Sequence, residues 1–383
     1  MNELEILARL VSFDTTSRNS NLPLIDFIRD YLLGLGIASV IIPDATGTKA
    51  NLFATIGPAD QPGILLSGHT DVVPVDGQSW RSDPFELTRD GDRVFGRGVA
   101  DMKGFLACAL AMVPQFQTVG LRRPIHLAFS YDEEVGCYGV PGILAHMQAQ
   151  GLQPQIAFVG EPSLMKIVTG HKGSCGLRTS VQGLAYHSSR TDLGVNAIFH
   201  AAELLAWLQR RATMLAGDAA EQAPFDPPYS TIGVGVIRGG IARNTVADLC
   251  SFDWDIRATR PRLVGEIVGA LERFAQETVL PVMRRGHAGS AIVTEIAYDV
   301  PPLLPQSDSP AEQLGKLLAQ RNDTATVAYG SEAGFFQGVG ISTTICGPGS
   351  IDQAHAADEW ISVDQLRSCM GFLGRLDAYA RGG

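Results

Sequence analysis

Ile64-Leu65-Leu66-Ser67-Gly68-His69-Thr70-Asp71-Val72-Val73-Pro74 decides how this chain of 383 residues is read. The apolar run Ile64-Leu65-Leu66 is too short for an ordinary helix and is closed by Gly68, Asp71 and Pro74. It therefore reads as a buried parallel strand. The strand delivers a histidine and an aspartate to its carboxyl end, where ligands gather in open α/β sheets. Further apolar runs end alike: 125–129 runs into Asp132-Glu133-Glu134, 156–159 into Gly160-Glu161-Pro162, and 341–346 into the loop carrying His355.

Outward from this stretch the chain alternates strands with helices. Residues 3–35 are expected to form two helices around an irregular Asp14-Thr15-Thr16-Ser17. Pro23 would sit in the first turn of the second helix, and Leu24, Ile25, Ile28 and Leu32 on its apolar face. Strands are expected at 38–42 and 51–56. Residues 76–97, rich in Gly, Asp and Ser, read as a long functional loop. Gly96-Arg97-Gly98-Val99-Ala100-Asp101-Met102-Lys103-Gly104 then opens a helix, with glycines spaced wrongly for a dinucleotide fingerprint. The rhythm predicts an α/β fold, a mixed, mostly parallel sheet with helices on both faces.

From Gly173 the texture changes. A strand at 176–183, a helix at 194–212 and alternating strands at 231–238 and 247–257 precede a helix at 263–282 and a strand at 291–297. The helix at 194–212 is expected to turn Val195, Ile198, Leu205 and Leu208 inward. In the strand 247–257, Cys250, Phe252, Trp254 and Ile256 share one face, and Ser251, Asp253, Asp255 and Arg257 the other. This order, β-α-β-β-α-β, is the ferredoxin-like split unit. The segment Val300-Pro301-Pro302-Leu303-Leu304-Pro305 returns the chain to its first texture, with a terminal helix at 364–381. The expected organisation is one domain (1–172 and 300–383) interrupted by another (173–299).

Composition narrows the partners. Thirty Lys and Arg against 40 Asp and Glu give a net charge of -10, and no basic run marks a nucleic-acid surface. No segment approaches the ~20 apolar residues of a membrane helix. The acidic, amphipathic Met1 to Leu10 lacks the basic start of a secretory signal. The six cysteines are scattered, without a Cys-x-x-Cys pair, so reduced thiols and a cytoplasmic location are expected.

His69, Asp71, Asp101, Glu133, Glu134, Glu161 and His355 each follow an apolar run or open a helix, so one sheet edge can gather them. That many carboxylates together are costly without cations. Imidazole and carboxylate donors without thiolates suit zinc, cobalt or manganese in a catalytic setting, and this set is large enough for two ions sharing one carboxylate.

The ordered motifs Gly68-His69-Thr70-Asp71-Val72-Val73-Pro74, Gly98-Val99-Ala100-Asp101-Met102-Lys103-Gly104, Asp132-Glu133-Glu134-Val135-Gly136 and Gly160-Glu161-Pro162, followed by His355, resemble the M20 family of metallopeptidases and deacylases. The resemblance implies a zinc-exopeptidase-like catalytic domain with an inserted lid and dimerisation domain at 173–299. It implies two divalent ions, Zn2+ first and Co2+ second. Asp101 would bridge them, with His69 and Glu161 on one ion and Glu134 and His355 on the other. It makes Asp71 the residue that orients His69, and Glu133 the general base acting on a metal-bridging water. It also implies a cis peptide at Asp101-Met102. In Ala185-Tyr186-His187-Ser188-Ser189-Arg190, His187 resembles the histidine that dimers of this family lend to the substrate carbonyl of the other subunit. Arg257 resembles a carboxylate-binding arginine, with a surface ion pair as the other reading, and Asn244 is a weaker case of the same kind. Arg97 and Lys103 read as charge partners of Asp101 without a catalytic role.

Tyr329-Gly330-Ser331-Glu332-Ala333-Gly334-Phe335-Phe336-Gln337 and Cys346-Gly347-Pro348-Gly349-Ser350-Ile351-Asp352-Gln353-Ala354-His355 resemble the acetylornithine deacetylase branch of the family. The substrate this implies is a small N-acyl amino acid, N2-acetyl-L-ornithine, cleaved to acetate and L-ornithine in arginine biosynthesis. Glu332 reads either as a partner for the substrate amine or as a core-facing or capping residue. A broader N-acyl-amino-acid deacylase, desuccinylase or dipeptidase stays open, as does a non-catalytic metal-binding relative.

Overall fold

The computed structural model describes residues 1–118, 120–217 and 224–382. The chain divides into two units, residues 1–170, 305–326 and 331–383 in the first and 171–304 and 327–330 in the second.

In the first unit, α1 (Glu3–Val11) starts at Asn2, whose side chain accepts the Glu5 N–H while the Glu5 carboxylate accepts that of Asn2, each at 2.9 Å. This reciprocal cap satisfies two N–H groups that a helix start leaves unpaired. α2 (Leu22–Gly34) buries Leu24, Ile25, Ile28 and Leu32, the face its spacing predicts. There follow β1 (Ser39–Pro43), β2 (Ala50–Ile56), β3 (Ile64–His69), β4 (Thr88–Asp90), β5 (Arg93–Phe95), α3 (Lys103–Phe116), β6 (Ile125–Ser130), α4 (Val140–Ala149), β7 (Ile156–Pro162) and β8 (Ile167–His171).

The second unit holds β9 (Gly173–Gln182), α5 (Ala197–Gly217), β10 (Thr231–Gly239), β11 (Leu249–Ala258), α6 (Leu263–Phe274), α7 (Leu280–Gly286) and β12 (Ala291–Val300). After it come α8 (Pro310–Ala319), β13 (Thr324–Val327), α9 (Ala333–Gly338), β14 (Ser342–Gly347), β15 (Trp360–Ser362) and α10 (Val363–Ala380).

The large sheet runs β1-β2-β6-β3-β7-β14-β8-β13. Its middle is parallel, and the strands start level: Ile64 of β3 lies opposite Ile125 of β6 and Ile156 of β7, and Ile156 lies opposite Ser342 of β14. Strands of similar length that start level also end level. That register brings the exits of β6, β3, β7 and β14 to one edge. Every residue of β3 and β6 is buried, as expected for strands covered on both faces. α3 packs between α1 and α10, which explains why Phe105, Leu106, Cys108, Leu110, Val113 and Phe116 are all inside rather than on one stripe.

The small sheet of the second unit runs β10-β11-β9-β12, antiparallel throughout, which is the ferredoxin-like order. Cys250, Phe252, Trp254 and Ile256 of β11 face its core. The structure corrects α5. Gly194-Val195 stays extended because Leu184 and Val195 exchange backbone hydrogen bonds, so the helix starts at Ala197. The buried stripe is then Ala197, Ala201, Leu204, Leu208 and Leu215, and Ile198 is left at 37% exposure. The long helix expected at 263–282 widens to a π turn over residues 275–279. Pro281 has no N–H to return to Glu277, so the regular ladder cannot continue there.

Residues 76–97 are not wholly a loop. β4 and β5 form a hairpin inside them and join β15 in a separate three-stranded sheet. All six cysteines are buried and free. Among the described residues no helix is long and apolar enough to cross a membrane.

Candidate metal and active centre

The level strand ends of the first unit put His69 at the end of β3, Glu133 and Glu134 just past β6, and Glu161 near the end of β7. Asp101 precedes α3, after a cis Asp101-Met102 peptide. His355 lies beyond β14, in a left-handed conformation at φ 62°.

These groups converge. Oδ1 of Asp101 lies 3.1 Å from Nε2 of His69, and Oδ2 lies 3.3 Å from Nε2 of His355. One carboxylate thus faces a different histidine with each oxygen, the disposition a bridging ligand needs. Glu161 Oε1 is 3.9 Å from His69 Nε2, and Glu134 Oε2 is 3.1 Å from His355 Nε2. Ligand atoms of His69, Glu133 and Glu161 fall within 4.8 Å of one another, as do those of His69, Asp101 and Glu134.

The donor set fits divalent cations. Oε1 of Glu134 and Oε1 of Glu161 are buried without a hydrogen-bond partner. Buried carboxylate oxygens are rarely left so, and a cation would engage both. The electrostatics agree. Removal from solvent, with Asp101 close by, raises the Glu134 carboxyl to about 7, against the hydrogen bond from His355. Glu133 is pushed well above the carboxylate range by burial and by Glu134 and Asp101, although His69 pulls the other way. Glu161 rises for the same reasons, burial first and then Asp101 and Glu133. Hydrogen bonds to Asp101 and Glu134 raise His355 to about 10. Here the histidines supply positive charge among the acids.

Asp71 faces His69, as expected, and also braces a neighbouring loop. The Nδ1–H of His69 meets the backbone carbonyl of Asp71 at 2.9 Å, and the Asp71 carboxylate is 3.5 Å from that nitrogen. The carboxylate also accepts the backbone N–H of Glu133 at 3.0 Å and of Glu134 at 3.3 Å, with the Ser17 hydroxyl at 2.7 Å. It therefore holds the loop that carries the proposed base and a proposed ligand. Lys49 braces the same loop through Asp132, with 2.6 Å between Nζ and Oδ2.

Glu332 matches the core-facing one of its two readings. It is 0% exposed, and its two oxygens accept the hydroxyls of Ser67 at 2.5 Å and Ser130 at 2.7 Å. Those serines belong to β3 and β6, so Glu332 ties two central strands together. Lys103 is fully buried and donates to the Phe13 carbonyl at 2.9 Å. Burial brings its pKa down to about 7.

The second unit brings His187 and Asn244 together. Thr245 bridges to His187, and the Asn244 carbonyl accepts the Ser188 N–H at 3.0 Å. Nδ1 of His187 accepts the Ser189 N–H at 3.2 Å and lies 2.8 Å from its hydroxyl. A backbone N–H leaves Nδ1 only the acceptor role, so the neutral ring carries its proton on Nε2, ready to donate. Arg257 lies on the open face of β11, with its Nε on Asp255 at 3.0 Å.

Sequence reading missed Glu359, a carboxylate only 1% exposed beside Asp101. Its signal was an acid directly before the strand-like Trp360-Ile361, four residues beyond His355.

Comparison with known proteins now has a geometry to attach to. Residues 65–376 match the family model described as peptidase family M20/M25/M40. An acetylornithine deacetylase from Pasteurella multocida (strain Pm70) is 33% identical over 368 residues, covering 95% of this chain and 93% of that protein. Another, from Myxococcus xanthus, is 34% identical and covers 98% of this chain and 97% of its own length. The M20 family metallo-carboxypeptidase Sso-CP2 from Sulfolobus solfataricus shares the fold, with a TM-score of 0.77 at 17% identity over 100% of both chains. So does the YXEP protein of Bacillus subtilis, a dinuclear metal binding peptidase, with a TM-score of 0.65 at 14% identity over 98% of this chain and 97% of that one. Because the match runs through all the strand ends and His355, the chain belongs to peptidase family M20/M25/M40 and is a hydrolase.

Proposed function

We propose that the protein removes the acetyl group of N2-acetyl-L-ornithine, giving acetate and L-ornithine, with two divalent ions, zinc first and cobalt second. The observation that carries this reading is the Asp101 carboxylate set between two histidines, with the Glu133 carboxylate within ligand distance of His69 and Glu161. His69 and Glu161 would hold one ion, Glu134 and His355 the other, and Asp101 both. Ions bound there would acidify water and polarise a carbonyl oxygen.

The chain's own groups do the rest. Glu133 takes the proton of the attacking water and hands it to the departing α-amine. Asp71 keeps the Glu133 backbone in place. His187, lent by a second copy, donates Nε2–H to the carbonyl oxygen as charge develops on it. Arg257 holds the substrate carboxylate as a charge-assisted pair, with Asn244 beside His187 as a further polar contact.

A homodimer through the second unit belongs to this reading. Its support is the edge strand β10, with Val234, Val236 and Ile237 exposed, and Ile241 at 87% exposure just beyond it. A cytoplasmic location accords with the free thiols. The choice of the acetylated substrate leans on the deacetylases that match nearly the whole chain.

The test is a kinetic comparison of N2-acetyl-L-ornithine with N-succinyl amino acids and dipeptides on zinc- and cobalt-loaded protein. The expected result is a kcat/KM at least about tenfold higher for the acetyl substrate. Equal or faster cleavage of dipeptides would replace the reading with a dipeptidase.

A further inference from the structure

Asp101 and His355 are 254 residues apart, yet one buried carboxylate four residues beyond His355 holds the backbone that leads to Asp101. Oε2 of Glu359 accepts Nη1 of Arg97 at 2.8 Å and the Gly98 N–H at 2.9 Å. Its Oε1 accepts the N–H groups of Ala100 at 2.9 Å and of Asp101 itself at 3.1 Å. The backbone carbonyl of Glu359 takes the Gly96 N–H at 3.0 Å. Residues 96–101 are therefore wrapped around a single anion. Gly98 lies at φ +82°, where a Cβ would come within 2.6 Å of Val72.

Arg97 extends the connection. It is 1% exposed, its Nη1 also reaches the Ala356 carbonyl at 3.3 Å, and its Nη2 donates to Oε1 of Gln78 at 2.5 Å. Trp80 covers the guanidinium with its ring centroid 5.0 Å away. Gln78 completes the loop by donating Nε2–H to the backbone carbonyl of His355 at 2.8 Å. From the Asp101 N–H to the His355 carbonyl, every link is a hydrogen bond, and the links nearest Asp101 are charge-assisted and dry. The secondary structure reinforces it: Glu359 directly precedes β15, which pairs with β5, and β5 leads into residues 96–101.

We propose that Glu359, Arg97 and Gln78 form a positioning clamp that sets the separation of the Asp101 carboxylate from His355, and so the affinity of the cation position shared by Asp101, Glu134 and His355. The clamp touches neither substrate nor ion. It rests on the proposed ligand set, and it assigns the two ion positions unequal supports: His69 and Glu161 are held by central strands, whereas His355 is held through Gln78. Asp101 would keep its place beside His69 when Gln78 is lost, because Glu359 still holds residues 96–101.

The test titrates metal-free protein with Co2+ alone, following the number of equivalents and their visible absorption, in parallel with the melting temperature of the metal-free form. Gln78→Glu is the informative variant, because it keeps an acceptor for Arg97 and removes the donor to His355. The expected result is an unchanged first equivalent and a second bound at least about tenfold more weakly, with an altered second-step spectrum and an unaltered metal-free melting temperature. Glu359→Gln should weaken both equivalents, because it releases residues 96–101 and with them Asp101, which serves both positions. Two equivalents binding to Gln78→Glu as to the parent, with the same spectra, would overturn the clamp. A parent that takes up fewer than two equivalents would instead overturn the ligand set, so the two failures are distinguishable. A general loosening of the fold would lower the metal-free melting temperature of Gln78→Glu and weaken both of its equivalents together, which also counts against the clamp.

Discussion

The two units solve opposite problems. In the first, Asp71, Asp101 and Glu161 are almost completely buried beside His69, and burial drives Glu133, Glu134 and Glu161 toward the protonated state. In the second, His187 and Asn244 are exposed and Arg257 is half-buried, each oriented by partners a few residues away or on an adjacent loop. The contrast teaches where preorganisation comes from. A buried cluster needs the whole sheet to assemble it and counter-charge to keep it ionised. An exposed donor needs only a local hydrogen bond to choose its tautomer.

The contrast breaks most visibly if the cations are withdrawn. Chelation is expected to abolish hydrolysis entirely, with recovery on adding Zn2+ or Co2+, measured as turnover against metal content. Persisting turnover in metal-free protein would mean that the buried acids act alone. Next in size is Glu133→Gln, expected to lower kcat by ~10²–10⁴-fold while both metal equivalents remain, as checked by elemental analysis. His187→Ala should lower kcat by ~10²–10³-fold with metal affinity untouched, because none of the proposed ligands lies in the unit that holds it. If that variant instead lost metal, the separation of roles between the units would be wrong. Arg257→Ala should act chiefly on KM, raising it by roughly 10–100-fold, the loss of one charge-assisted hydrogen bond. Lowered kcat at constant KM would move Arg257 from binding to chemistry.

The smallest effect sharpens the electrostatics of the first unit. The Glu134 carboxyl rises from its ordinary range to about 7 on folding. A raised folded value means that its stabilising contribution is complete below the unfolded pKa of about 4.3 and is lost as the pH rises through 7. Glu134→Gln should therefore raise the melting temperature of metal-free protein by roughly 2–4 °C at pH 8 and leave it almost unchanged near pH 4. With cations present the sign should reverse, because a ligand has been removed.

Much of this was legible from local pattern. The runs 64–66, 125–129, 156–159 and 341–346 are buried strands, and the acids and histidines at their exits do meet at one edge. Polar residues that close an apolar run must surface where the strand ends, so convergence follows once the strands are parallel and level. The ferredoxin-like order of 173–299 was legible for a similar reason, since alternation in 247–257 exposes one face and buries the other.

What escaped depended on partners far along the chain. The β4–β5 hairpin is stabilised by β15, more than two hundred residues later, so residues 76–97 alone look like a loop. Glu332 resembled a substrate ligand until Ser67 and Ser130 occupied both of its oxygens. Asp71 sits two residues from His69 in sequence and faces it, but that its carboxylate also holds the Glu133 loop shows only in the fold.

The sequence by itself determined the layers, the insertion and the chemical types of the donors, because hydrophobic periodicity and the inventory of ionisable groups are local properties. Only the tertiary structure decided which oxygen of Asp101 faces which histidine, that Glu332 ties β3 to β6, and that Glu359 accepts backbone N–H groups within residues 98–101. A carboxylate has the same chemistry wherever it lies in the chain. Its task is set by burial and by the donors that surround it, and those come from segments that meet only when the sheet closes.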